Sequence, residues 1–95
     1  MTEEWSQWLD FDSLNVESVP ESSGVFVMHA SMKVLYIGGS ENIRTGLKER
    51  LTDDCCGKAK RFRYMLAQSP DIVKENLLKD YAEKHAGIKP VCNSQ

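Results

Sequence analysis

Apolar residues recur along this chain with two different periods, and those periods divide it into elements. Val25-Phe26-Val27-Met28-His29 and Lys33-Val34-Leu35-Tyr36-Ile37 are β-rich runs joined by Ala30-Ser31-Met32, which predicts an antiparallel hairpin. Gly38-Gly39-Ser40 breaks the second run. Ser40 or Asn42 can then cap a helix running to about Thr52, with Ile43, Leu47 and Leu51 on one face. Residues 58–66 open with alternation and predict a third strand. Ser69-Pro70 predicts a helix start, and that helix extends to about His85, burying Val73, Leu77, Leu78 and Tyr81 before Gly87 ends it. Lys89 to Asn93 reads as a short extended tail. Ahead of these elements, Trp5, Trp8 and Phe11 recur every three residues, which predicts a helical turn with the rings on one side. The expected fold is a small α/β (α+β) sandwich, a mainly antiparallel three-stranded sheet flanked by helices. Residues 1–18 form an acidic, aromatic flap, and residues 19–95 a single domain.

Charge sharpens that division. The net charge of −2 excludes a uniformly basic protein that coats nucleic acid, but the average hides an asymmetry. Residues 1–21 hold six acids and no Lys or Arg; residues 22–95 hold all twelve bases against eight acids, a balance of +4. The acids around Trp5 and Trp8 would repel phosphate, so these rings read as a cover over the core rather than as a stacking platform for bases. Three cysteines, two of them adjacent, supply no zinc spacing and read as a reduced, intracellular set. Nothing resembles a signal peptide, and no apolar run approaches the roughly 20 residues of a membrane span. The expected location is the cytoplasm, with no membrane partner.

One ordered set of residues resembles a known family. Val19-Pro20 and Gly24-Val25-Phe26 stand where the GIY-YIG nucleases carry their first signature, and Tyr36-Ile37-Gly38 is the second signature unaltered. Gly39-Ser40-Glu41-Asn42-Ile43 resembles the polar loop that follows it. Glu75, with Leu77, Leu78 and Tyr81, resembles the late acidic helix, and Pro90 and Asn93 sit like the Pro and Asn of the closing segment. The resemblance covers residues 19 to 93. It implies a GIY-YIG-like fold and endonucleolytic cleavage of a nucleic-acid phosphodiester, with DNA as the expected substrate and Mg²⁺ or Mn²⁺ as cofactor. It also implies that Glu75 binds the metal, and that Tyr36 and an arginine surround the attacking water and the phosphate. Phosphoryl transfer needs such residues, because the equatorial oxygens must be neutralised and the nucleophile oriented. A domain of this length leaves no room for a recognition module, so specificity is expected from a protein partner or from nucleic-acid shape.

The chain departs from that pattern at four places, one of them Gly39, where many members of the family place a Lys. Phe26 has the ring of the first tyrosine without its hydroxyl. Gly46 stands where the family has its arginine. Asp53 and Asp54 occupy the stretch that often holds a His or Tyr. On a helix, Arg50 falls about 40° from Gly46 on the same flank of the apolar stripe, whereas Arg44 lies on the opposite flank. Arg50 is therefore the candidate to stabilise phosphate, with Arg44 in reserve; either can equally be an exposed helix charge. Glu75 is spaced for a surface pair with Lys79 as readily as for a metal. Gly38, Gly39 and Ser40 would let a phosphate approach the backbone at a helix start. Lys58, Lys60, Arg61 and Arg63 form a basic group suited to sequence-independent, salt-sensitive phosphate contacts, or to plain solvation.

Overall fold

The structure, a computed structural model, describes residues 4–30 and 33–94. The hairpin connection at Ser31 and Met32 therefore lies outside the described residues, as do Met1 to Glu3 and Gln95. In chain order the elements are β1 (Leu9–Asp10), α1 (Ser13–Glu17), β2 (Gly24–Ala30), β3 (Lys33–Ser40) and α2 (Ile43–Leu51). A 3₁₀ turn (Cys56–Lys58), β4 (Arg61–Leu66), α3 (Pro70–Lys84) and a second 3₁₀ turn (Val91–Ser94) follow. The strands form one four-stranded sheet in the order β1-β4-β2-β3, with every neighbouring pair antiparallel.

β2 is the centre of the sheet. It pairs Phe26 with Gly38 and Met28 with Tyr36 on one side, and Phe26 with Tyr64 and Met28 with Phe62 on the other. Phe26, Met28 and Phe62 share the face that α1 and α2 cover, packing with Val16, Val19, Ile43, Leu47 and Cys56 into the main core. The Asn42 side chain caps α2 by accepting from the Thr45 N–H at 3.2 Å. Lys48 on α2 joins Glu17 on α1 at 2.6 Å, a surface pair whose ammonium lowers the Glu17 carboxyl. On the opposite face, α3 rests on β3 and β2. Glycines at successive positions of β3 mark the two faces. A Cβ at Gly38 would meet the Tyr36 and Phe26 rings, and one at Gly39 would lie 3.0 Å from the Pro70 carbonyl oxygen.

Four expectations are corrected. The third strand begins at Arg61, because the Asp53 carboxylate takes the N–H groups of Cys55 and Cys56 at 3.0 and 2.7 Å and turns the chain there. The aromatic leader is extended rather than helical through Trp5 and Trp8. Its backbone follows the open edge of β4, where Ser6 N–H donates to the Tyr64 carbonyl at 2.8 Å and Phe11 N–H to Lys60 at 2.9 Å. A fourth, two-residue strand results, and its alternation splits the rings: Phe11 packs edge-on against core Phe62, while Trp8 lies over His29. Val91–Ser94 coils into a 3₁₀ turn where an extended tail was expected. Finally, Val73, Leu77, Leu78 and Tyr81 are only half-buried, and Pro70 is the buried residue of α3.

Candidate functional site

The intact Tyr36-Ile37-Gly38 segment lies on β3, and α2 crosses above it. Gly46 permits the close crossing, since a Cβ there would sit 3.2 Å from the Ser40 Cβ and 3.3 Å from the Phe26 ring. One turn further along α2, the Arg50 guanidinium carbon stands 5.5 Å from the centre of the Tyr36 ring. Phe26 completes the floor, its ring centre 6.0 Å from that of Tyr36. A side chain at Gly38 would occupy this same space, 2.5 Å from the Tyr36 ring and 2.8 Å from Phe26.

Beyond Arg50 the chain builds a support for it. Asp53 Oδ1 lies 3.9 Å from Arg50 Nη1. The N–H groups of Cys56 and Cys55, followed by the Arg50 charge, hold the Asp53 carboxyl below its usual range. Burial raises the Tyr36 hydroxyl, with the nearby Arg50 opposing that rise. Burial, reinforced by the Asp53 carboxylate, pushes the Cys56 thiol up to about 11. Cys56 is therefore protonated at neutral pH and is not a nucleophile.

The C-terminal turn fixes β3 from its outer edge. The Asn93 amide accepts from the Ile37 N–H at 2.8 Å and donates to the Ile37 carbonyl at 2.9 Å. A disulfide between Cys55 and Cys92, their Cα atoms 5.7 Å apart, ties that turn to the segment carrying Asp53. Cysteine spacing gave no sign of this bond, because fold rather than sequence separation brings its ends together. With it present, cysteine usage no longer argues for a reducing setting.

The remaining sequence candidates are placed as follows. Arg44 donates from Nε to the Val19 carbonyl at 2.7 Å and lies 3.7 Å from Glu21, so it holds the turn before β2. The Ser40 hydroxyl is engaged with the Asn42 backbone. Gly39 packs against the start of α3. Glu75 is exposed on α3, beside an open cleft lined by Asn76, Leu78, Lys79, Ala82, Gly87 and Lys89. Among the described residues it makes no ion pair with Lys79 and no contact with Tyr36 or Arg50. Lys58 belongs to the first 3₁₀ turn, Lys60 is exposed, and Arg61 lies 3.6 Å from Asp10. Arg63 lies between two tryptophans. Tyr36 and Arg50 are thus brought together, while Arg44, Glu75 and the basic group stand apart from them. Sequence reasoning passed over Asp53 as a support for Arg50. Its signal was an aspartate two and three residues ahead of two turn N–H groups, a capping arrangement.

A protein-family model described as Domain of unknown function (DUF7508) matches residues 3–84. No curated protein matches the chain. Among solved structures, the chain is similar to the GIY-YIG N-terminal endonuclease domain of UvrC from Thermotoga maritima. One such structure is a tyrosine-to-phenylalanine point mutant bound to the catalytic divalent cation. It superposes with a TM-score of 0.66 at 19% identity, covering 83% of this chain and 90% of that one. A second tyrosine-to-phenylalanine mutant, likewise bound to its catalytic divalent cation, gives 0.66 at 18% identity with 83% and 90% covered. The likeness is one of fold, a GIY-YIG-like α+β domain.

Proposed function

The chain belongs to the family of the domain of unknown function DUF7508, and from its GIY-YIG-like fold we propose that it is a divalent-metal-dependent endonuclease acting on DNA. The observation that carries this reading is the Tyr36–Arg50 pair, a guanidinium 5.5 Å over a tyrosine ring on the strand of the second signature. A fixed guanidinium there offers positive charge to the equatorial oxygens of a phosphate. The Tyr36 hydroxyl, raised by burial, keeps its proton at neutral pH. It therefore orients water or donates a hydrogen bond, and it does not serve as a resting phenolate.

The donor set fits a metal in one arrangement only. Among the described residues no group of three or more His, Cys, Asp or Glu could hold an ion, so there is no ready-made protein cage. Exposed Glu75, with Asn76 beside it along the cleft, suits a hard cation such as Mg²⁺ or Mn²⁺ that keeps its waters and shares the substrate's oxygens. When bound, such an ion supplies charge neutralisation at the phosphate. The Thermotoga domains hold their cation with a tyrosine replaced by phenylalanine, which supports the compatibility of Phe26 with metal binding. Lacking the phenol at Phe26, turnover is expected about 10²–10⁴-fold below that of a complete centre.

A second reading, a binding module that does not cut, is favoured by one observation. Phe26 and Ser40 close over Gly46, where the family's arginine would stand. Incubation of the purified protein with supercoiled and branched DNA and Mg²⁺ or Mn²⁺, beside Glu75→Ala, separates the two. Nicking that needs metal and is lost in Glu75→Ala is expected. Salt-sensitive binding without nicking supports the module, and nicking that persists in Glu75→Ala removes the Glu75 assignment.

A further inference from the structure

We propose that the sheet face opposite Tyr36 carries a separate site for an unpaired nucleotide of single-stranded nucleic acid, built from Trp5, Trp8, His29 and Arg63. Its centre is a guanidinium between two rings: Arg63 Cζ lies 4.7 Å from the centre of Trp5 and 4.7 Å from that of Trp8. Trp8 in turn lies 4.1 Å from the His29 ring. Arg63 follows core-facing Phe62, so strand alternation sends it to the other face, away from Tyr36 and α2.

Both rings stand within cation–π distance of the guanidinium, whose N–H groups lie along its in-plane edge. Among the described residues that edge has no acceptor: the Arg63 side chain makes no hydrogen bond or ion pair, and its Nε is buried without a partner. His29 Nδ1 is a second buried, unpartnered nitrogen in the same cluster. Native folds rarely leave such groups unmatched. A planar guanidinium held this rigidly is pre-set for an oxyanion meeting its terminal Nη edge. Trp5 is partly exposed and stacks with no other ring among the described residues, and an indole face suits a base. A phosphate and a base at adjoining positions are the two parts of one nucleotide.

The surrounding charges allow this. Arg61, two residues before Arg63 on β4, shares its face by strand alternation. Asp10 is paired with Arg61 at 3.6 Å with both side chains mostly exposed, an interaction weak enough to yield to phosphate. Glu4 beside Trp5 is exposed, so water and salt screen the repulsion expected from the acids of this segment. A duplex offers phosphates but keeps its base faces stacked, so the single strand is the form that uses Trp5. This site lies apart from the Tyr36–Arg50 pair and binds whether or not that pair cuts.

Both tryptophans of the chain belong to the site, so their emission reports on it directly. Titrating the full chain, without added metal, with a short oligothymidylate should quench that emission, with an affinity that falls as salt rises. Arg63→Gln should weaken binding about tenfold or more and flatten the log–log salt slope by about 0.7. Arg63→Lys, which keeps the charge but not the flat stack, should also bind less tightly, with far-UV circular dichroism confirming that both variants fold. Glu75→Ala should bind oligothymidylate like the unaltered chain, which separates a failure here from a failure of the nuclease reading. Absence of quenching, equal affinity in Arg63→Gln, or tighter binding of duplex or of polyglutamate than of oligothymidylate would each overturn the proposal.

Discussion

Arg50 touches three different kinds of group, and each limits what it can do. Its guanidinium lies over the Tyr36 ring, its Nη1 is 3.9 Å from Asp53, and its charge opposes the burial that raises the Tyr36 hydroxyl. A cation–π contact of this sort is worth about 0.5–1 kcal/mol at partly exposed sites, enough to fix a side chain without burying its donors. Asp53 has a folded pKa below its unfolded value, chiefly through the Cys56 N–H. Its contribution to stability is therefore complete above the unfolded value of about 3.9 and is lost as pH falls through the lowered folded value. Urea midpoints measured from neutral to acid pH should fall for the unaltered chain. Asp53→Asn should start lower at neutral pH and lose less in acid; identical pH profiles would show that Asp53 is not what holds the turn.

At the scale of elements, β3 is held from four sides: by β2, by α2 where Gly46 meets Ser40, by α3 where Pro70 meets Gly39, and by the Asn93 amide on its outer edge. The Cys55–Cys92 disulfide, spanning 37 residues, keeps that last clamp in place. Closing a loop of this size is worth about 3–4 kcal/mol in the chain-entropy account. Adding reductant should therefore lower the thermal midpoint measurably, whereas an unchanged midpoint would mean that the tie carries no stability. Buried Cys56, with its thiol pushed up to about 11, should exchange with the neighbouring bridge only slowly. Much of this frame was legible in the chain. β2, β3, α2 and α3 follow from the Val25–His29 and Lys33–Ile37 runs, the Asn42 cap and the Ser69-Pro70 start. What was not legible arises from contacts distant in sequence. The Trp5-Trp8-Phe11 spacing suits a helix, but the open edge of β4 offered backbone partners that an extended chain alone can use. The Cys55–Cys92 bond and the Asn93 clamp likewise depend on where the fold brings the C-terminus.

For the molecule as a whole, the sheet separates two kinds of chemistry. One face carries Tyr36 and Arg50 beneath α2; the other carries α3 and, beyond it, the Trp5–Arg63–Trp8 stack. The net charge of −2 therefore describes neither surface. The acids of the leader sit in the same segment as the tryptophans that sheathe Arg63, and Asp10 is matched to Arg61. Glu75 lies on α3, on the side of the sheet away from Tyr36 and Arg50.

On the proposed nuclease reading, Arg50, set one turn beyond Gly46, would be the arginine that binds phosphate, and Arg44, committed to Val19 and Glu21, would not. Single-turnover nicking of supercoiled DNA with Mn²⁺ by Arg50→Ala and Arg44→Ala tests it most directly. Arg50→Ala should lose about 10²–10³-fold in rate, whereas Arg44→Ala should be less stable to urea but close to the unaltered rate while folded. A rate that survives in Arg50→Ala and collapses in folded Arg44→Ala would contradict it.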